Sequence, residues 1–579
     1  MTMPTKQIIS EKLQNCFPNG CTRILLINPP VIPEHEFDQN VALNRRYPVF
    51  PPYGLGILNR ELKQHGYISE ILDLNYGIFS HGADFAVWKK LLHQRVNSFR
   101  PDVCAITCMY SMTHPSLQAV SDYLKDLNDK IVAIAGGVHP TAAPEVVLTT
   151  CRGIDFIMLV EGETSLVALL DHINKKTGAE TLRQTATLID GDIVILDERA
   201  VETNIDAPPD FGDLPIGQYH DMGKIGAYHN LLPDDVKAST ILSNRGCRGN
   251  CTFCSVKAFF GGGGVRMRDI HAVVDEMEFL KQKHGIKHFM WLDDDLLFNE
   301  ERAIRLFDEI TSRNLGITWD ASNGVVARSI SPAVATSAYK SGCIGLTLGI
   351  ESGNSEILRS VRKPSGIRHF KRAAQVLNEF PEIFTKGFLM LGFINESVAQ
   401  IKDTVNLARE LALDWYPIQI LTPFPGTGFR KQLEEDGLID PDTVDNKFFL
   451  GSTGGQRRRE AEEKVDAKDF QDPFTGDLAR IPTAEELKDL WFVMDYRVNY
   501  EKILGEERPV KLAMLQKMLR DICERVQENP LAALYWGIIE HKLGDTTAAW
   551  HLKKLSRQYL HNSDFWRKRF EALDIYRLF

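Results

Sequence analysis

The sequence predicts an α/β protein built from a doubly wound parallel sheet, a partial (β/α)6 barrel and a mostly helical C-terminal region. Short apolar segments alternate with amphipathic helical stretches over the first 435 residues, and a proline-bearing segment, Asp206–Pro215, interrupts this alternation. Strands that alternate with helices are typical of parallel pairing, because each parallel crossover needs room for a helix. A chain of 579 residues also exceeds what one core supports, so several domains are expected.

The first series contains five apolar segments, at residues 23–28, 68–75, 101–107, 130–137 and 155–160. We predict an N-terminal extension over 1–20 and a doubly wound domain over 21–200 that ends in a hairpin-like segment, "TLIDGDIVILDE". Such sheets bind ligands at the carboxyl ends of their strands. Here these ends carry "TCMYSMTH" (107–114), "GGVHPT" (136–141) and "VEGET" (160–164).

A second series follows a predicted linker over 201–235. It has six strand-helix units within 236–435, from "STILSNRGC" to "WYPIQILTPFPGT". Six units fall short of the eight that close a barrel, so the sequence predicts an open, partial barrel. Chemistry in such barrels lies on the loops after the strands, and the first of these loops holds three of the ten cysteines.

These cysteines, Cys247, Cys251 and Cys254, have the spacing C-x3-C-x2-C. In a reducing compartment, clustered thiols are metal ligands more often than disulfides. Structural zinc normally takes four protein ligands, and only folding could bring His271 or Cys343 to this loop. A cubane iron–sulfur cluster held by three thiolates leaves one iron open to another ligand. The spacing is compatible with both metals and favours the cluster.

The cysteine motif, with Phe253 before the last cysteine, resembles the radical S-adenosylmethionine (SAM) superfamily. The stretches "WLDDDL", "LGIESGN", "LMLGF" and "TPFPGT" are similar to recurring motifs of its cobalamin-dependent members, and the resemblance covers residues 21–435. It implies a Rossmann-like cobalamin-binding domain before the barrel. It also implies three cofactors: a [4Fe-4S] cluster on Cys247, Cys251 and Cys254 with one open iron, SAM, and cobalamin.

The resemblance also implies binding residues at the strand ends. Those expected to bind SAM are Phe253, Asp293, Asp295, Ser322, Arg328 and Glu351. Those expected to bind cobalamin are Tyr110, Ser111, Gly136, Gly137, His139, Thr141, Glu161 and Gly162. For the aspartates the competing interpretation is helix capping, and for Glu351 it is a structural ion pair. The glycine run 261–264 lacks the Lys-Ser/Thr of a phosphate loop and is interpreted as a flexible connection.

The first loop of the N-terminal domain departs from the family pattern. Many cobalamin proteins carry D-x-H-x-x-G there to supply an axial histidine, whereas this chain has "NPPVIPEHE". We therefore expect no histidine on the lower face of the corrin, which is left empty, solvated or covered by a side chain from 107–114. His114 and His139 are either ligands or ordinary loop histidines.

The function implied by the resemblance is a cobalamin-dependent radical SAM methyltransferase acting on an unactivated carbon. One SAM methylates reduced cobalamin, and a second yields a 5'-deoxyadenosyl radical that activates the unidentified substrate. An oxidoreductase or cyclase that uses the same cofactors without methyl transfer is the alternative within enzymes. A non-catalytic corrinoid or redox sensor is the alternative from another class.

Composition bounds the partners and the location of the protein. A formal net charge of −10 and a pI near 5.9 argue against broad nucleic-acid binding. The sequence has neither an apolar signal core nor a run long enough to span a bilayer, so we expect a cytoplasmic, oxygen-sensitive enzyme. Its expected protein partner is a one-electron donor such as a flavodoxin or a ferredoxin.

The C-terminal region, 436–579, carries fewer signals. A mixed-charge run at 456–470 is interpreted as a solvated helical face, and "NPLAALYWGIIEHKLGDTTAAWHLKKLSRQYL" resembles one tetratricopeptide-like helical hairpin. The aromatic residues of this hairpin are interpreted as core. Alternatively, the region closes the open side of the barrel and shapes the substrate pocket.

Overall fold

The computed structural model describes residues 5–199, 202, 204–261, 264–439, 470–525 and 528–579. Its first sheet has seven strands in the order β2-β1-β3-β4-β5-β6-β7. The strands are β1 (Arg23–Asn28), β2 (Ile68–Asp73), β3 (Val103–Thr107), β4 (Val132–Gly136), β5 (Phe156–Met158), β6 (Thr185–Ile189) and β7 (Asp192–Leu196). Strands β1 to β5 are parallel, which confirms the predicted doubly wound sheet. Strand β2 lies on one side of β1, and β3, β4 and β5 lie on the other side. The carboxyl ends of β1 and β3 therefore flank the switch point where such sheets bind ligands.

The predicted hairpin forms, and its two strands extend the sheet. Strand β6 pairs antiparallel with β5, and β7 pairs antiparallel with β6. Asp190 and Gly191 between them have φ of 52° and 91°. Two successive residues with positive φ make the type I′ turn that matches strand twist, which is why Asp-Gly occurs here.

Helices cover both faces of this sheet. They are Thr5–Cys16, Gln39–Leu43, Tyr53–Gln64, Leu74–Ser80, Val87–Phe99, His114–Leu127, Val138–Ala142, Pro144–Thr150 and Glu163–Ile173. The first one lies in the predicted N-terminal extension. Its Ile9 and Leu13 are fully buried in the same core cluster as Ile24 of β1, so this helix is part of the domain's packing.

The second sheet forms the predicted partial barrel. Its six strands are β8 (Ala238–Ile241), β11 (His288–Trp291), β12 (Thr318–Val325), β13 (Cys343–Glu351), β14 (Phe384–Leu391) and β15 (Ile418–Ile420). All neighbours pair in parallel in the order β15-β14-β13-β12-β11-β8, which leaves β8 and β15 as the two edges. A short antiparallel pair, β9 (Asn244–Arg245) and β10 (Arg266–Met267), flanks the cysteine loop.

The outer helices of the barrel follow their strands as predicted. They are Ser255–Phe260, Ile270–His284, Glu300–Ser312, Pro332–Lys340, Ser355–Ser360, Ile367–Leu377, Val398–Leu411 and Gly428–Glu435, whereas the short helix Tyr219–Met222 precedes β8 within the predicted linker. The predicted linker is packed into the structure rather than extended. The Tyr219 hydroxyl donates to Asp73 at 2.7 Å, and Tyr228 is fully buried against Gly345 at the start of β13, where a Cβ would lie 2.3 Å from its ring.

The described part of the C-terminal region is helical, as predicted. Its helices are Ala484–Asp495, Pro509–Arg525, Pro530–Leu543, Thr546–His561 and Asp564–Ala572. The Trp491 indole N–H donates to the Ile418 carbonyl at 3.0 Å, so the first of these helices covers the β15 edge of the barrel. Residues 456–469 of the mixed-charge run lie outside the described residues. In the described residues, no helix combines the length and apolar character needed to span a bilayer.

Candidate active site

Two neighbouring loops hold the cysteine loop in place. The Thr252 N–H donates to the Val361 carbonyl at 3.1 Å, and the Thr252 carbonyl accepts from the Phe429 N–H at 2.8 Å. Phe253, predicted to contact SAM, packs edge-on against Phe393 with ring centroids 6.3 Å apart. Its ring therefore anchors the cysteine loop to a small apolar cluster beneath the loops after β13, β14 and β15.

The thiols of Cys247 and Cys251 border the backbone of Gly249. A Cβ built on Gly249 would lie 3.3 Å from the Cys247 sulfur and 3.8 Å from the Cys251 sulfur, and the Gly249 N–H donates to Cys247 at 3.2 Å. All three cysteines are half-buried and unpaired, and burial raises the pKa of the Cys247 and Cys254 thiols to about 11. Within the described residues, no three His, Cys, Asp or Glu side chains converge on a single ion. In an iron–sulfur cluster each thiolate binds its own iron, so three thiols on one short loop fit such a cluster.

The three aspartates after β11 have different surroundings. Asp293 is buried and accepts from the N–H and the hydroxyl of Ser243 at 2.9 and 2.5 Å, and burial raises its pKa to about 7. Asp295 is fully buried and makes a two-pronged ion pair with Arg248, at 2.6 and 2.7 Å. These two predicted SAM ligands thus join β11 to the cysteine loop. Asp294, which was not predicted, is half-buried beside Cys247 and Cys254, and burial raises its pKa to about 6.

Glu351 ends β13 with a left-handed φ of 66° and pairs with Lys363 at 2.7 Å. A Cβ on Gly349 would come within 2.8 Å of the Lys363 nitrogen, so the glycine makes room for this pair. Burial raises the pKa of the Cys251 thiol. The ammonium group of Lys363 lies near this thiol and its charge opposes the shift.

The other two predicted SAM residues lie apart from the thiols. Ser322 donates to Asp320 at 2.5 Å and accepts from the Ala227 N–H at 2.7 Å, so its hydroxyl is engaged within the barrel. Arg328 is exposed on the short helix Ala327–Ser329.

At the carboxyl edge of the first sheet, the loops after β3 and β4 approach closely. Gly137 has a φ of 109°, and a Cβ there would lie 2.8 Å from the Cys108 carbonyl oxygen, so only glycine fits. Gly136 ends β4. In the loop after β3, the side chains of Met109 and Tyr110 are 50% and 45% exposed. Two large side chains exposed beside backbone-lined loops suit a broad, flat ligand such as a corrin.

His139 and His114 form a hydrogen-bonded chain behind this edge. The His139 ring lies 3.1 Å from the Ser111 hydroxyl and 3.0 Å from the His114 ring, which lies 3.0 Å from Thr150. Burial lowers the pKa of both imidazoles, that of His139 to about 3. Because each ring nitrogen has a partner, the structure favours loop histidines over axial ligands.

The buried His139 predicts a pH-dependent stability. Its folded pKa of about 3 lies below the unfolded value, so the unfolded state binds more protons between about pH 6.5 and 3. Stability is therefore present near neutral pH and decreases as the pH falls. His139 alone should lower the free energy of unfolding by about 2 kcal/mol at pH 5. Between pH 7 and pH 5, the free energy of unfolding measured in urea should therefore fall by about 2 kcal/mol more for the wild type than for His139→Gln. An exposed control, His65→Gln, should behave as wild type, and equal pH dependence in all three proteins would contradict the prediction.

The remaining cobalamin predictions lie on the loops after β4 and β5. The Thr141 hydroxyl donates to the Gly137 carbonyl and accepts from the Val160 N–H, both at 2.8 Å. Gly162 precedes helix Glu163–Ile173. Glu161 points to the barrel instead, where it pairs with Arg245 at 2.7 Å and Arg266 at 2.8 Å.

Glu161, Glu163, Arg245 and Arg266 form what we call the interdomain ion-pair cluster. Glu163 also pairs with Arg245, at 2.6 Å, and the four side chains are between 6% and 16% exposed. Burial alone would lower the pKa of Arg245, but Glu163 and Glu161 raise it above its ordinary value. The cluster joins the β5 loop of the first sheet to the β9–β10 pair beside the cysteine loop.

Two further contacts bring the two strand edges together. Helix Ser255–Phe260, directly after Cys254, lies against helix Val138–Ala142. In the loop after β15, a Cβ on Gly426 would lie 3.1 Å from the Ala142 Cβ. The carboxyl edges of the two sheets therefore face each other.

Two family models match the chain, one over each of the two α/β domains that carry these edges. The B12 binding domain model matches residues 40–170, and the Radical SAM superfamily model matches residues 241–408. The chain thus combines a B12 binding domain with a radical SAM domain, the architecture of the cobalamin-dependent radical SAM enzymes. Its cofactors are accordingly a [4Fe-4S] cluster, SAM and cobalamin. This architecture leaves the sensor hypothesis without support.

The chain is also similar to curated proteins and to solved structures. An uncharacterized methyltransferase of Pyrococcus horikoshii is 28% identical over 57% of this chain and 69% of its own. An anaerobic magnesium-protoporphyrin IX monomethyl ester cyclase of Rubrivivax gelatinosus is 24% identical over 79% of this chain and 80% of its own. The methyltransferase TsrM of Kitasatospora setae, solved with cobalamin and a [4Fe-4S] cluster, shares the fold with a TM-score of 0.60 and 16% identity, over 92% of this chain and 99% of its own.

Several residues of the site were not predicted from the sequence. Arg248 lies within the cysteine motif itself, and Asp294 lies between the two predicted aspartates, so both had a local signal. Lys363, Arg245 and Arg266 had no such signal: Glu351 lies 12 residues from Lys363, and Glu161 lies 84 and 105 residues from Arg245 and Arg266. In the glycine run, Gly261 ends helix Ser255–Phe260 with a φ of 69°, and residues 262 and 263 lie outside the described residues.

Proposed function

We propose that this protein is a cobalamin-dependent radical SAM methyltransferase that methylates an unactivated carbon. The observation that supports it most is the face-to-face arrangement of the two strand edges, held by the interdomain ion-pair cluster. A methyl carrier and a radical generator must act on the same substrate atom, so their sites must share one cavity. When bound, the three cofactors supply the transferable methyl group, its carrier and a carbon-centred radical.

The residues of the chain have distinct roles in this proposal. Cys247, Cys251 and Cys254 hold the cluster, and the Arg248–Asp295 pair fixes the loop that carries them. Asp294 accepts from the Gly246 N–H at 3.1 Å and lies beside Cys247 and Cys254, where its carboxylate suits the ammonium group of SAM. The Glu351–Lys363 pair places a cation next to Cys251, where it stabilises negative charge on the thiolate.

On the opposite edge, Gly136 and Gly137 would allow a corrin to approach the backbone, and the exposed side chain of Tyr110 would be available to contact it. Both histidines of this edge are bound to other residues. Wild-type protein loaded with cob(II)alamin should therefore show no nitrogen hyperfine splitting from a protein imidazole by electron paramagnetic resonance.

The test uses anaerobically reconstituted protein, a reductant and SAM with a labelled methyl group. We expect bound corrinoid, both S-adenosylhomocysteine and 5'-deoxyadenosine among the products, and the label in a substrate-derived product. Absence of corrinoid binding, or a product that never contains the label, would refute methyl transfer.

The cyclase relative supports a second candidate, an oxidoreductase or cyclase that uses the same cofactors. Its match extends over 79% of this chain, further than that of the methyltransferase from Pyrococcus horikoshii, at 57%. Formation of 5'-deoxyadenosine without S-adenosylhomocysteine in the same assay would favour this candidate.

A further inference from the structure

A set of arginines lies on the outer side of the cysteine loop. The loop after helix Ser355–Ser360 passes directly over the thiols. The Arg362 carbonyl oxygen lies 4.0 Å from the Cys251 sulfur, and the ring of Pro364 lies 3.7 Å from a Cβ built on Gly249. This loop therefore contacts the cysteine loop beside Cys251 and Gly249.

Five exposed arginines surround that loop, and we call them the arginine face: Arg328, Arg359, Arg362, Arg368 and Arg372. The Arg328 N–H donates to Ser365 at 3.3 Å, which brings the short helix Ala327–Ser329 against the loop. Burial lowers the pKa of His369, and the charges of Arg368, Arg328 and Arg372 lower it further. Three positive charges therefore converge around this one imidazole.

No ion pair compensates these charges among the residues that the structure describes. Other arginines of the chain are paired, for example Arg313 with Asp275, Arg152 with Asp126 and Arg520 with Glu524. Glu356 lies on the same helix as Arg359 and forms no ion pair with any member of the face. The chain as a whole has a net charge of −10, so the face is a local cluster of positive charge on an acidic protein, although Glu356, Asp403 and Glu410 line the cavity beside Arg359. Uncompensated like charges repel one another, and such fields accelerate encounters with oppositely charged partners.

We propose that the arginine face is the docking surface for a small, acidic one-electron carrier protein. The inference rests on the proposed function, which requires an electron to reach the cluster on the three cysteines. At this face the carrier loses one electron and the cluster gains one, with no bond made or broken. A polyanion such as RNA is disfavoured because the face presents arginines without exposed aromatic rings on which bases could stack.

The test compares two triple variants that remove the same charge. The first, Arg359→Gln/Arg368→Gln/Arg372→Gln, neutralises part of the arginine face and spares Arg328 and Arg362. The matched control, Arg520→Gln/Arg557→Gln/Arg577→Gln, neutralises exposed arginines of the C-terminal helices. The probes are an acidic flavodoxin, an acidic ferredoxin and a single-stranded oligonucleotide.

For wild type and control we expect saturable binding of flavodoxin or ferredoxin that weakens as ionic strength rises. The face variant should bind at least about tenfold more weakly at low salt, with a smaller salt dependence. Stopped-flow reduction of the cluster by the carrier should slow in parallel, whereas reduction by dithionite stays unchanged.

Several outcomes overturn the inference. These are no carrier binding to wild type, equal loss in both variants, unchanged binding in the face variant, or tighter binding of the oligonucleotide than of either carrier. The proposed function fails separately, if dithionite-reduced wild type yields no 5'-deoxyadenosine from SAM.

Discussion

Replacing Cys251 with alanine should abolish reductive cleavage of SAM while the protein stays folded. The Cys251 side chain is half-buried, and its contact with the Arg362 carbonyl is long, at 4.0 Å, so the fold depends little on it. With two of three thiolates left, the cluster should be incomplete or lost. We expect 5'-deoxyadenosine formation to fall more than about 100-fold, beyond the loss seen when a supporting residue of a metal site is removed.

The measurements are iron content, visible absorption and 5'-deoxyadenosine after anaerobic reconstitution, with circular dichroism to verify folding. Cys523→Ala is the matched control, because Cys523 is also half-buried and lies on helix Pro509–Arg525. A Cys251→Ala variant that retains iron and cleaves SAM would show that another group holds the cluster.

Glu161→Gln should give the largest loss of stability among the substitutions considered. It removes the charge shared by Arg245 and Arg266 in a site where the side chain of Glu161 is only 6% exposed. Arg266 would keep the Glu202 carbonyl, at 2.7 Å, but no carboxylate. Removing one partner of a buried pair leaves an uncompensated charge, so we expect the free energy of unfolding to fall by about 3 kcal/mol. Formation of the final product should fall more than SAM cleavage, because the interdomain ion-pair cluster joins the two cofactor edges.

Urea unfolding and product analysis of the same variant check both expectations. Glu70→Gln breaks the exposed Arg95–Glu70 pair of the same domain and should leave stability nearly unchanged. The double variant Glu161→Gln/Arg266→Gln should lose less stability than the sum of its single substitutions, since the second change removes the unpaired charge. Strict additivity, or a single variant as stable as wild type, would mean that Glu161 does not hold the domains together.

The architecture could be predicted because it depends on local periodicity and on one short motif. All five parallel strands of the first sheet and all six strands of the barrel form where apolar segments end in glycine or polar loops. The cysteine motif was equally visible, because its three ligands lie within eight residues. Asp293 and Glu351 were predicted as SAM ligands from their place at strand ends. In the structure Asp293 accepts a hydrogen bond from Ser243, and Glu351 forms an ion pair with Lys363. Spacing along the chain does not reveal these contacts.

What the sequence by itself determined is the class of chemistry: three thiols on one loop, two successive α/β domains and a helical C-terminal region. These features follow from interactions between residues close in the chain, which leave a pattern in the order of the amino acids. Only the tertiary structure decided which side chains remain available to bind a ligand or a partner. Glu161 joins two arginines more than 80 residues away, His139 and His114 satisfy each other, and the arginine face forms over Cys251. Such contacts depend on how distant segments meet, and burial and charge at those meeting points determine what each residue can do.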